Sequence, residues 1–372
     1  MLAYLTAQDI LLGDRAVIAF DGSGDLSDLI AQWSARHVPG ASERIDVIDL
    51  GRPAPLSLNP FKMITDEEPL QAGYFVASAM KAAQLVVQPQ SQWSEQTSDM
   101  LRDCIALLLA TGEPLTKLPD VAHDAVFRDL LITRLPDERR QRAQKTLALY
   151  GKLIESGEWA NNSVPFVQQI EAVCRDRPLR EALEGPTGLD LKSVLLDRKI
   201  LLVKLPVERM GSKASFFANM LFTALRHEYA SVRSHASECT VLIDGLSQLV
   251  NPDVLVEVMR APETSEMSVI ASDSTLQNLN DATRLRLIRQ IGHLGAFACT
   301  YKDAEILAPI MFGGSGAQLL EAVAPGSDGA YASTKLVSIA DSRIAQADRL
   351  VGQDRQSYFC YKVGTAAGIV HL

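Results

Sequence analysis

The sequence predicts an α/β protein: a mostly parallel sheet interrupted by an inserted all-helical subdomain. Three observations carry this expectation. First, Lys199–Leu246 reads as an apolar strand (Ile200–Leu205), a polar turn with Gly211, a long helix, and a second apolar strand (Thr240–Ile243) ending on Asp244. Strand, helix and buried strand in that order make the central unit of a parallel sheet. Second, a short strand at Arg15–Phe20 runs through Asp21-Gly22-Ser23-Gly24-Asp25 into a helix over Leu26–Arg36. Third, between Pro60 and Pro186 strand signals vanish and helical spacing of apolar residues takes over.

Composition bounds the class. The chain has 372 residues, 47% hydrophobic and 22% charged, so it buries a sizeable core and is not disordered. A net charge of −9 gives no global basic field for nucleic acid, so any DNA contact needs a local patch or a pore built by several subunits. The five cysteines are scattered, without CxxC spacing, and read as reduced core thiols of a cytosolic protein. No apolar run reaches the roughly 18 to 20 residues of a membrane span. The N-terminus lacks the basic flank and apolar stretch of a secretory signal.

In chain order, Met1–Leu12 is apolar at helical spacing and stops at Gly13. The Arg15–Phe20 strand and its helix follow, then a strand at Ile45–Leu50 and the step Asn59-Pro60-Phe61. The helical segment comprises Leu70–Val87, Gln92–Ala110, Val121–Leu131, a charged stretch Asp137–Glu155, Val164–Arg175 and Leu179–Leu183. Its basic run, Arg139, Arg140, Arg142 and Lys145, reads either as a phosphate-backbone contact or as a solvated helix face. After Asp244 the pattern predicts a helix (Pro252–Arg260), a strand (Met267–Ala271), a helix (Arg284–Gln290), a strand (Ala296–Thr300) and a helix from Asp303. Gly313–Gly316 is a glycine-rich loop after a helix, a weak phosphate signal. Tyr358–Val363 and Gly368–His371 read as a terminal hairpin.

The chemistry is defined partly by what is missing. No GxxxxGK[ST] occurs, the loop with which nucleotide-driven motors hold the β- and γ-phosphates. No Ser-His-Asp set stands out, and the histidines show no metal-ligand spacing beyond His227 and His235, eight apart. Asp244, at the end of a buried strand, reads either as a magnesium-holding carboxylate or as a cap of the next helix.

The order of these segments resembles the HerA/FtsK-type P-loop motors, most of all the TraG/TraD-type conjugative coupling proteins of type IV secretion. The resemblance runs over Val17–Leu26 (VIAFDGSGDL), Asn59-Pro60-Phe61, the helical insertion, the strand and long helix of Arg198–Arg233, the strand Val241–Asp244, and Val269–Asp273. It implies a RecA-like nucleotide-binding domain in two parts, residues 1–58 and 191–372, around an all-α domain at 59–190. It also implies ATP and magnesium as ligands, a homo-oligomeric ring (a hexamer in such proteins), DNA and secretion-channel or relaxosome partners, and action at the cytoplasmic face of the inner membrane.

On that alignment Asp244 is the Walker B aspartate and the magnesium ligand, and Arg260 is the candidate arginine finger, although its spacing to the next strand is too long for the family. Asp21, Gly24, Asp25, Asp273 and Gln277 fall at nucleotide-binding positions. The departures matter as much. On the resemblance, residue 1 falls just past the phosphate-loop lysine, so the given sequence does not hold the first strand and the loop: either the true start lies upstream or the motor is truncated, and any membrane anchor would precede them. Walker B reads Asp244-Gly245, where the family has Asp-Glu. Ser23 replaces the lysine of the Asp-x-Lys-Gly turn, and Ser272, Asp273 and Ser274 stand where a sensor glutamine is usual. The expected function is therefore a coupling-protein-like motor domain with a degenerate or incomplete ATP site. The alternative is a non-catalytic scaffold or adaptor that recognises a protein partner through its helical domain.

Overall fold

A computed structural model describes residues 2–52, 57–63, 69–89, 93–186, 189–232, 238–260, 267–312, 339–352, 357–362 and 368–371. The described chain forms two compact units, Met1–Asp273 and Ser274–Leu372.

The first unit is built on five strands: β1 (Ala16–Asp21), β2 (Ile45–Asp49), β3 (Ile200–Lys204), β4 (Cys239–Asp244) and β5 (Met267–Ser272). They pair in the order β2-β3-β1-β4-β5, every pair parallel. β1 and β3 are buried along their whole length, which is why they read as unbroken apolar runs. Alternation sends Val17, Ala19, Ile200, Leu202 and Leu242 to one face, against Ile10 of helix Leu2–Leu12 and Leu26 and Ile30 of helix Asp25–His37. Phe20 points to the other face and meets Phe222 edge-on at 6.2 Å.

Phe222 belongs to helix Ser212–Val232, the crossover from β3 to β4, which buries 13 of its 21 residues. This helix also carries the insertion: Ser215 Oγ donates to the Ala83 carbonyl of helix Pro69–Val87. Helix Pro69–Val87 crosses helix Glu95–Thr111 at Gly73, where a Cβ would lie 2.8 Å from the Arg102 carbonyl. Every described element between β2 and β3 is helical.

Local corrections to the sequence reading have local causes. The segment read as one helix over Val121–Leu131 is two, Leu118–His123 and Ala125–Thr133, because Asp124 leaves the helix and caps the Val126 and Phe127 amides. The helix expected from Val164 begins at Glu158, after Gly157 in the left-handed region, and carries Pro165 within it. The charged stretch is two helices, Asp137–Leu149 and Gly151–Ser156.

In the second unit, helix Asp281–Ile288 starts ahead of the expected Arg284 because Asn280 caps it. The strand expected at Ala296–Thr300 lies earlier, as β6 (His293–Ala296), set by antiparallel pairing with β7 (Ser357–Lys362). Thr300 instead caps helix Tyr301–Met311. β7 pairs antiparallel with β8 (Gly368–His371), the expected hairpin. The Gly313–Gly316 loop and His235 lie outside the described residues.

Candidate functional site

Parallel register brings the last residues of all five strands into one row. Asp49 stands opposite Lys204, Lys204 opposite Asp21, Asp21 opposite Asp244, and Asp244 opposite Ser272. The carboxyl edge of a parallel sheet is where such folds place ligands, because the turns into the helices open a crevice there.

The turn after β1 is organised by its own carboxylate. Asp21 is fully buried; its Oδ1 accepts from the Gly24 N–H at 2.7 Å and its Oδ2 from the Ser27 N–H at 2.7 Å. Gly24 takes φ 88°, a left-handed turn that glycine adopts without strain. Gly22 has no room for a side chain: a Cβ would lie 2.6 Å from the Asp244 carbonyl, which its own N–H donates to. Asp25 stands exposed in the first turn of the helix.

At the end of β4, Asp244 is half-buried and flanked by hydroxyls. Ser272 Oγ donates to its Oδ1 at 2.6 Å, and Ser23 Oγ lies 3.2 Å from its Oδ2. Gly245 follows at φ 88°, ψ 52°, with its N–H donating to the Ser272 carbonyl. Asp273 Oδ2 accepts from the Ser247 N–H at 2.7 Å. The buried Asn219 pins the next loop, donating to the Leu249 carbonyl and accepting from the Asn251 N–H.

Lys204, 8% exposed, is the cation of the row. Its Nζ lies 2.8 Å from Asp28 and 3.9 Å from Asp49.

The site residues read from the sequence thus divide. Asp21, Gly24, Asp244 and Asp273 meet at one edge, with Asp25 just beyond. Arg260 is exposed in the last turn of helix Pro252–Arg260, sixteen residues beyond Asp244. Gln277 lies in the second unit, donating to Thr300 Oγ1 at 3.2 Å. Lys204 and Asp49 escaped the sequence reading; Lys204 is the polar last residue of an apolar strand, the signal that singled out Asp244, whereas β2 reads IDVID and its final carboxylate does not stand out.

The donors can be tested against magnesium and a triphosphate. A carboxylate between two hydroxyls is a hard oxygen set, and magnesium uses one or two carboxylates with phosphate oxygens and water. Among the described residues, no three His, Cys, Asp or Glu side chains cluster as a metal site. Phosphate oxygens need free N–H groups and cations, and several of those at this edge are already engaged. Asp21 takes the amides that open helix Asp25–His37, Asp273 takes the Ser247 amide, and Lys204 is paired. The described residues therefore suit Asp244 as a metal ligand only alongside a phosphate, and the Gly24, Ser27 and Ser247 amides and Lys204 are not free to hold one.

A helix-flanked, all-parallel sheet with a helical insertion before β3 and a strand-end aspartate at β4 is a RecA-like α/β fold. Solved structures similar to the chain include the bacterial conjugative coupling protein TrwBdeltaN70 in an unbound form (TM-score 0.61, 14% identity), plasmid coupling protein TrwB in complex with ADP and Mg²⁺ (0.64, 15%), and TrwB with a non-hydrolysable ATP analogue (0.60, 13%). Each likeness covers 100% of this chain and 81% of the other. The resemblance to coupling proteins read from the sequence thus holds across the whole chain at the level of fold. No protein-family model and no curated protein sequence matches it. Among the described residues, no helix is long and apolar enough to cross a membrane.

Proposed function

We propose that the chain is a coupling-protein-type motor domain that handles DNA or a protein–DNA substrate at a conjugation or secretion channel, with a degenerate nucleotide site of its own. The observation that carries this reading is the pairing of a coupling-protein fold with a strand-end Asp244 followed by Gly245. In this reading Asp244 stands where a carboxylate would hold magnesium. The next residue has no side chain to polarise an attacking water, and a lost acid–base group costs roughly 10²- to 10⁴-fold in rate.

The neighbours support the same reading. Asp21 and Asp273 already accept from the helix-opening amides of this edge. In the proposal, residues 59–190 form the inserted domain between the two parts of the RecA-like domain. The ring, its DNA and its secretion partners come from the likeness to coupling proteins, as does a place at the cytoplasmic face of the membrane. In this reading Arg260 acts as an arginine finger on a neighbour in the ring.

The test is DNA binding against salt. Phosphate contacts release counterions, so single-stranded DNA affinity should fall steeply and log-linearly with salt concentration. No detectable DNA binding at low salt, by the assembled protein, refutes the reading.

A second reading, a non-catalytic adaptor, is favoured by Val126 and Leu130. They stand 78% and 48% exposed one turn apart on helix Ala125–Thr133. It predicts salt-insensitive binding to a protein partner, lost on Val126→Asp.

A further inference from the structure

We propose that the helical insertion carries a binding site for a small amphiphile with an apolar body and an anionic head. A cavity of about 450 Å³ opens among helices Glu95–Thr111, Ala125–Thr133 and Asp137–Leu149. That volume lies in the range of sites that enclose drug-sized molecules.

The cavity exists because two facing helix stripes do not close on each other. Asp103, Ala106, Leu107 and Ala110 share one face of helix Glu95–Thr111 and line the cavity. Opposite them, helix Asp137–Leu149 presents Arg139, Arg142, Ala143, Thr146 and Leu147, and buries none of its residues. Alanines on both sides leave the gap. A helix that covers an apolar face without sealing it leaves that surface to a ligand. Leu107, Ile132, Leu135 and Leu147 supply an apolar interior.

The polar groups define the head. Among the described lining residues, three are arginines, Arg128, Arg139 and Arg142, and one is an acid, Asp103. That acid is already engaged: Tyr150 Oη donates to it at 2.8 Å and Arg102 Nε at 3.1 Å. Arg128 is buried over the Trp159 ring and donates to the Val121 and Ala122 carbonyls, which fixes a positive charge at the wall. Arg142 is exposed and has no ion-pair partner among the described residues. A chain of net charge −9 repels anions in general, so a local excess of guanidinium groups selects for one. An α-helix is about 10 Å across and does not enter a space of this size, which favours a small molecule over a partner's helix.

The same geometry accounts for the basic run. Arg139 and Arg142 face the cavity, whereas Arg140 pairs with Asp137 and donates to the Thr133 and Leu135 carbonyls, so the run is not one continuous stripe.

The site is tested by calorimetric titration of the whole chain with three probes that share a ten-carbon chain, each kept below its micelle or solubility limit: decanoate, decanol and decyltrimethylammonium. Decanoate should bind about tenfold more tightly than the other two, the gain of a charge-assisted contact. Arg142→Glu should remove that preference. Ala143→Trp, which fills the space, should abolish binding, with circular dichroism confirming the fold; Ala106→Trp fills it from the other wall should the first variant unfold. Equal binding of decanol and decanoate, decanoate binding that survives a folded tryptophan variant, or no binding of decanoate at millimolar concentration overturns the proposal.

Discussion

Asp21→Ala tests what organises the carboxyl edge. The substitution removes the acceptor of the Gly24 and Ser27 amides, each held at 2.7 Å. A buried amide left unpaired costs about 1 to 3 kcal/mol. Two such groups, with water reaching the turn through the exposed Ser23, bring the expected loss to about 2 to 4 kcal/mol. The loss of a negative charge at a helix N-terminus acts in the same direction. The assay is urea unfolding of the whole chain followed by circular dichroism, with linear extrapolation to water. Asp21→Asn keeps one carbonyl acceptor and should lose about half as much. Asp25→Ala, exposed in the same turn, should stay within about 0.5 kcal/mol of the native chain. A loss below about 1 kcal/mol for Asp21→Ala, or an equal loss for Asp25→Ala, refutes the view that Asp21 is the internal anion of this turn.

Three further outcomes are expected. Asn219→Leu strands the Leu249 carbonyl and the Asn251 N–H beside the site, so the same unfolding assay should register a loss of about 2 to 4 kcal/mol. Gly245→Ala forces a side chain onto a backbone at φ 88° and should cost about 1 to 2 kcal/mol; for the same reason Gly245→Glu should destabilise the chain without creating hydrolysis. Burial pushes the Cys239 thiol up to about 12; a raised value keeps it protonated at pH 8, so a colorimetric thiol reagent should find it unreactive until urea is added, and rapid reaction in the native state would contradict its burial.

The sheet was legible because buried parallel strands are unbroken apolar runs, and β1, β3 and β4 each end on a polar residue that marks the carboxyl edge. Asp244 could be placed on that edge from the sequence. What the sequence could not supply is register: only pairing sets Lys204 between Asp49 and Asp21 and brings Ser23 and Ser272 to opposite oxygens of Asp244. The helical insertion was legible as a class, from the loss of strand signals. Its breaks were not, because Asp124 leaving the helix is a choice between capping and continuation that helical spacing does not encode. The cavity beside helix Asp137–Leu149 was invisible for a similar reason. A charged helix that buries nothing reads as solvated whether or not its partner stripe leaves a gap.

The central claim, a motor fold with a degenerate nucleotide site, is tested most directly by steady-state ATP hydrolysis with magnesium, comparing the chain with its Asp244→Ala variant. The account predicts no turnover above background in either, and identical progress curves. Turnover at an ordinary enzymatic rate, on the order of 1 to 10³ per second, that Asp244→Ala abolishes would contradict it.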